Sequence, residues 1–190
     1  MTEVIVGIDV GKEGGISILS LNGTILYDAL SLPLDPIDIV NSLKQISVKY
    51  SLIHCYIEKQ AFMNRSYGTN PFARQGGKAA FTLGHSQGII EGCLLTLDIN
   101  YTLVSPKTWQ KVIEEVTLPF DTSSITKKKL KDTKFKSFIK ARELFPNAPL
   151  KTIRGKVLDG IADAILIGYW GASICYDKVE KPKEHKKRTK

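Results

Sequence analysis

Four carboxylates stand where a folded chain would bury them. Asp9 closes the apolar run VIVGID, Glu58 closes SLIHCYIE, and Asp159 and Asp163 interrupt the apolar stretch KVLDGIADAILIGYW. The last two are four residues apart, so a helix sets both on one face. A carboxylate taken out of water is costly unless something offsets its charge. One such acid ordinarily finds a cap, a turn amide or an arginine. Four of them, at the ends of core strands and inside a core helix, point instead to divalent cations as the compensating charge. Mg²⁺ or Mn²⁺ takes hard oxygen ligands, and two ions side by side can hold the attacking water and the leaving oxygen of a phosphodiester. The chemistry expected of Asp9, Glu58, Asp159 and Asp163, as metal ligands and catalytic residues together, is hydrolysis of a phosphodiester bond.

The charge distribution supplies a substrate for that chemistry. The chain has 190 residues and a net charge of +8. Residues 127–156 hold eleven Lys or Arg against two acids, residues 178–190 hold seven against two, and the remainder is acidic. Clustered cations on an otherwise acidic protein suit a polyanion, whose condensed counterions they release. Lys127, Lys128, Lys129, Lys131, Lys107, Lys111 and Lys156 are the candidate phosphate contacts, although a solvated helix face and a solubilising tail would also look like this. The segment KQAFMNRSYGTNPFARQGGK sets Phe62, Tyr67 and Phe72 among Lys59, Arg65, Arg74 and Lys78. Rings interleaved with cations are suited to unstacked bases and phosphates.

The elements that must position these groups read as a mixed α/β arrangement. Residues 4–10, 15–21 and 24–32 have the alternation of a three-stranded meander, with LNGT as a hairpin turn. A helix follows, capped near Asp35 with Pro36 at its first position and Ile39, Val40, Leu43 and Ile46 on its apolar face. Residues 52–58 are a fourth strand, 78–97 a long helix, 101–104 a short strand, and SPKTWQKVI a helix capped by Ser105. Residues 121–131 read as an exposed insertion, and helices near 134–145 and 156–175 close the fold. The expected architecture is a central sheet, part antiparallel meander and part parallel, with helices on both faces. One domain spans residues 1–177, followed by a basic, disordered tail at 178–190.

Other classes are excluded or weakened. Cys55, Cys93 and Cys175 are odd in number, sit in apolar surroundings and form no CxxC pair, so neither a disulfide framework nor a zinc site is indicated. The N-terminus lacks a basic leader, and the longest uncharged apolar run, 164–176, is too short to span a bilayer. An intracellular, cytoplasmic protein is expected. His54 shares a strand face with Glu58 but reads as a satisfied structural histidine. His85, at the start of the long helix, could reach DNA but reads equally as helix packing, Trp109 reads as core, and Trp170 as core or a dimer surface.

Taken in order, GIDVGKEGGISIL, YIEKQAFM, LGHSQGIIEGCL, VSPKTWQKVI, ARELFP and DGIADAILIGYW resemble the RuvC-like Holliday junction resolvases, especially the phage-type members. The resemblance implies an RNase H-like fold, a homodimer, and Mg²⁺-dependent nicking of two strands of a four-way DNA junction. It matches Asp9 to the first-strand acid, Glu58 to the acid ending the fourth strand, and Asp163 to the acid of the C-terminal helix. The fit of Asp159 is looser, because many bacterial members space the two helix acids by three. Phe62 matches an aromatic residue that stacks at the junction centre. Three other readings stand beside this one. The same acids would serve a nuclease acting on RNA–DNA hybrids, the opening GIDVGKEGG also looks like the phosphate loop of an actin-like ATPase, and a non-catalytic DNA-binding module would explain the charge alone. Against the ATPase, such proteins need two lobes and a second glycine-rich loop.

Overall fold

The computed structural model describes residues 1–60, 73–114 and 133–180, without the side chains of 73–80, 114 and 176–180. Five strands form one sheet: β1 (Glu3–Asp9), β2 (Gly15–Ser20), β3 (Leu26–Ser31), β4 (Ser51–Glu58) and β5 (Tyr101–Val104), in the order β3-β2-β1-β4-β5. The first three pair antiparallel, while β4 joins β1 and β5 in parallel. This is the mixed sheet expected from a meander followed by alternating helices and strands.

Strand alternation sorts the side chains of β1 between two cores. Val4, Val6 and Ile8 face one way, onto α1 (Pro36–Lys49) and α2 (Ala73–Thr96), with Leu43, Ile90 and Leu94 fully buried there. Ile5 faces the other way, with Tyr56 of β4, onto α5 (Thr133–Leu144) and α6 (Asp159–Glu180). Helices therefore cover both faces. β4 carries one extra residue against β1: Val4 pairs with Leu52 but Ile5 pairs with His54. The bulge at Ile53 keeps Leu52 on the first core and turns Tyr56, with His54 against its ring, to the second.

Helix α1 begins as its sequence dictates. Asp35 accepts a hydrogen bond from Ile37 N at 2.8 Å, and Pro36 fills a position whose N–H would be orphaned anyway. Elsewhere the boundaries move. Helix α2 starts at Ala73 rather than 78, running through Gly76 and Gly77, whose cost of about 1 kcal/mol each is overridden by the rest of the helix. The segment after β5 is two short pieces, α3 (Pro106–Trp109) and α4 (Lys111–Glu114), and not one helix. Ser105 is at the cap position, but its hydroxyl meets Thr108 Oγ1 at 2.7 Å and caps no backbone N–H. Helix α6 starts at Asp159 rather than 156, because residues 151–157 form a small hairpin, and it continues to Glu180, past the end expected at 175. The expected insertion at 121–131 lies outside the described residues. Among those described, no helix is long and apolar enough to cross a membrane.

Helix α6 lies nearly flush on the sheet. Gly160, Ala164 and Gly168 recur every four residues and face Gly7, Gly15 and Ser17. A methyl group added at Gly15 would stand 2.6 Å from the Gly160 carbonyl oxygen, and one at Gly7 would overlap the Ala164 carbonyl and the Gly168 backbone. Ser17 is fully buried, and its hydroxyl donates to Ala164 O at 2.7 Å. Gly7→Val is expected to cost at least the ~1–3 kcal/mol typical of overpacking, because backbone rather than a side chain must move. Urea unfolding measures this, and a Gly7→Val protein as stable as the parent would show that α6 stands off the sheet.

Candidate active site

The ends of β1 and β4 and the first two turns of α6 meet beside Gly14, whose backbone bridges to Gly160. Asp9 ends β1 on the α6 side of the sheet. Glu58 ends the neighbouring parallel strand on the same side, one residue beyond the Ile8–Ile57 pair. Asp159 and Asp163 rise from α6 one turn apart. Asp9, Asp159 and Asp163 line a cleft of about 180 Å³, together with Glu13, Lys134 and the backbone around Gly11, Gly14 and Gly160. Glu58 is not part of that lining and acts on Asp9 from the end of the neighbouring strand.

Electrostatics show how closely these acids are held. Burial, the Glu58 hydrogen bond and the charges of Asp163, Glu58 and Asp159 together push the Asp9 carboxyl well above its ordinary range. Asp163 is pushed up to about 7, first by burial and then by Glu58 and Asp159, against the opposing pull of the Ser137 hydroxyl and Lys134. Ser137 gives its own hydrogen to Thr133 O, and Asp163 Oδ1 is buried with no hydrogen-bond partner. Lys134 Nζ bonds Asp159 Oδ2, which keeps the ammonium charged to higher pH. At the cleft mouth Lys156 Nζ meets Glu13 Oε1 at 2.7 Å.

The donor set is all carboxylate oxygen, and one of those oxygens is buried without a partner. Both features suit a hard divalent cation. As the side chains stand, however, no three His, Cys, Asp or Glu among the described residues are set around a common point that would hold an ion. Asp159 is bonded by Lys134, and Glu58 lies close enough to Asp9 to raise its carboxyl.

The other expected site residues fall into three groups. Phe62, Arg65, Tyr67, Lys127, Lys128, Lys129 and Lys131 lie outside the described residues. Arg74 and Lys78 lie on the first turns of α2. Lys107 is exposed on α3, and Lys156 is at the cleft but paired with Glu13. His54 bonds Thr102 Oγ1 at 2.8 Å and is structural. Trp109 is core, and Trp170 packs edge-on against Tyr56. His85 is exposed, stacked on Phe81. Sequence reasoning did not single out Glu13, Lys134 or Ser137. Lys134 was visible only as one of eleven cations, and nothing local marks which of them faces an acid 25 positions away.

No protein-family model and no curated protein sequence matches the chain. Solved structures do. The fold defines an RNase H-like α/β protein. Among the solved structures with this fold is RuvC of Thermus thermophilus. The structure of that protein in complex with Holliday junction substrate superposes with a TM-score of 0.58 at 11% identity, covering 93% of this chain and 96% of that one. A second Thermus thermophilus RuvC structure gives 0.54 at 12% identity over the same shares. At this identity the likeness is one of fold.

Asp163 makes metal-free stability depend on pH with a definite sign. Its folded carboxyl titrates near 7 against an ordinary 3.8, so the folded state binds its proton more tightly than the unfolded chain does. That contribution is complete below about pH 4 and is lost as pH rises through 7. In EDTA the thermal midpoint is expected to carry a downward component from pH 4 to 7, and Asp163→Asn should flatten it and stabilise the protein at pH 8. Parallel pH profiles for the two proteins would contradict the burial of this group.

Proposed function

We propose that the protein is a divalent-metal-dependent endonuclease that resolves four-way DNA junctions by paired symmetric nicks. The observation that carries the reading is the convergence of Asp9, Asp159 and Asp163 on one cleft, with Glu58 acting on Asp9 from the neighbouring strand, in a fold shared with RuvC. Those four side chains would hold Mg²⁺ or Mn²⁺, two ions per site, which when bound supply the positive charge that a cluster of acids and an incoming phosphodiester both need. The chain itself does the rest. The sheet ends fix Asp9 and Glu58, and the flush helix fixes Asp163. Lys134 and Lys156 offer ammonium groups at the mouth, where a phosphate backbone would lie. Arg74, Lys78, Lys107, Lys127, Lys128, Lys129 and Lys131 extend the proposed DNA track, with Phe62, Arg65 and Tyr67 at the branch point.

A junction has two strands to cut and one cleft cuts one, so we assign the active form to a homodimer with two-fold symmetry. The surface favoured for it is the outer face of α2. Phe81, His85, Gly88, Gly92 and Leu95 alternate four and three residues apart, all exposed, and Gly88 and Gly92 have open space above them. A second copy of the same helix could approach closely there.

Two experiments test the reading. End-labelled four-way junction, linear duplex and RNA–DNA hybrid are incubated side by side with Mg²⁺ or EDTA. Nicks at symmetric positions, confined to the junction and abolished by EDTA, are expected. Asp9→Asn, Glu58→Gln and Asp163→Asn should each lower nicking about a thousandfold or more while binding persists, because the shape is kept and the charge is lost; Asp159→Asn should lose less. Cleavage of the hybrid alone would replace the substrate, and an undiminished Asp163→Asn would remove the acid from the mechanism. Sedimentation at micromolar concentration should give a dimer that Gly92→Glu dissociates. A monomer that still makes paired nicks would defeat the second assignment.

A further inference from the structure

Residues 151–157 form a hairpin that contributes neither an acid to the cleft nor an apolar side chain to the core. Lys151 and Val157 pair across it as an antiparallel bridge. Thr152 N donates to Lys156 O at 2.9 Å, Gly155 N to Thr152 O at 2.8 Å, and Lys156 N to Thr152 Oγ1 at 3.1 Å. Gly155 holds φ +79°, a left-handed conformation in which a side chain would be strained. The base of the hairpin is anchored at several points. Leu158 N donates to Leu150 O at 2.9 Å, and Leu150 is buried in the second core. Lys151 Nζ sits 5.6 Å from the Phe138 ring centroid, and Lys156 is tied to Glu13.

What this fixed turn presents is Ile153, at 108% relative exposure, beside an exposed Arg154. A lone exposed isoleucine is ordinary on a protein surface. Three further observations set this one apart. The turn holding it is closed by three hydrogen bonds and a positive-φ glycine. The seven residues carry Lys151, Arg154 and Lys156 and no acid, and among the described residues Arg154 pairs with no carboxylate. The strand that leaves the turn runs directly into Asp159, the first residue of α6.

Proteins that pry duplexes use this combination: an apolar side chain pushed between base steps, with cations on the flanking phosphates. We propose that the 151–157 hairpin is a duplex wedge, with Ile153 inserting between adjacent base pairs and Arg154 contacting the phosphate beside them. The inference rests on the proposed nuclease reading and adds to it where the DNA is deformed. Asp159 lies six steps along the chain from Ile153, a reach of at most about 22 Å at 3.3–3.6 Å per residue. At about 3.4 Å per step along a strand, the wedge falls within roughly six base pairs of the cut.

The test uses the full chain and a four-way junction carrying 2-aminopurine at one position at a time, within six steps of the cleavage point. EDTA is present so that nothing is cut. The parent protein should raise the fluorescence at one or two positions, as a base there loses its stacking partner. Ile153→Ser should abolish that rise and weaken junction binding about tenfold, the order expected for one isoleucine side chain no longer buried. Ile153→Leu should restore both. Because Ile153 buries nothing in the protein, neither variant should shift the thermal midpoint. Arg154→Gln should keep the fluorescence rise and lower the log–log salt slope of binding by about one unit. Parent-like binding and fluorescence from Ile153→Ser would overturn the wedge while leaving the nuclease reading intact, since the parent would still bind and cut. Loss of the dimer in Ile153→Ser would overturn it too, by making the hairpin a protein contact. A parent protein that neither binds nor cuts junctions would remove both readings.

Discussion

The structure turns on how closely α6 lies against β1 and β2. Helices ordinarily stand off a sheet by the thickness of their side chains; here glycine faces glycine, and Ser17 spans the seam to hydrogen-bond the Ala164 carbonyl. That contact is made of backbone, so it fixes the helix along its axis as well as in height. Because Asp159 and Asp163 sit on the turns that begin at this seam, their distance from Asp9 is set by main-chain packing and not by flexible side chains. The stability of the second core and the geometry of the acids thus have a common origin, which is why loss of either would follow from one added methyl group.

The close approach also creates electrostatic tension. Asp9 and Asp163 are held where desolvation and the charges of neighbouring carboxylates oppose ionisation, while Asp159 is bonded by Lys134. The fold spends stability to hold acids in this arrangement, and strained ionisation of this kind is characteristic of places where chemistry happens. Glu13 and Lys156 form a second, exposed pair at the rim, and such surface pairs contribute little by themselves. Their effect is to tie the loop after β1 to the hairpin before α6, closing one side of the cleft.

Much of this was legible in the residues. The four acids stood out because carboxylates break an apolar pattern, and pattern is the strongest local signal a sequence carries. Alternation placed Asp9 on a known face of β1, and helical spacing put Asp159 and Asp163 together. Asp35 and Pro36 marked the start of α1 correctly for the same reason: the signal and its physical cause lie within three residues. What escaped was long-range. Gly160, Ala164 and Gly168 read as an ordinary apolar helix until Gly7 and Gly15 are seen opposite them. The break between α3 and α4 and the hairpin before α6 depend on packing against distant elements, so propensity alone joined the first two and began the last too early. The side chain that Lys134 would choose could not be read from a run of eleven cations.

The single extra residue in β4 has a consequence beyond the twist it introduces. It divides the strand into two reading frames: upstream of Ile53 the even-numbered Leu52 packs on the first core, and downstream the even-numbered Tyr56, with His54 against its ring, faces the second. Glu58 keeps its side of the sheet only through the downstream frame. The bulge therefore works as an offset between two phases of one strand, letting the α1 side be rebuilt without rotating the acid at the far end. A deletion at Ile53 would have to be absorbed by one half or the other: either Leu52 changes core, or the carboxylate leaves the cleft and Ile57 takes its direction.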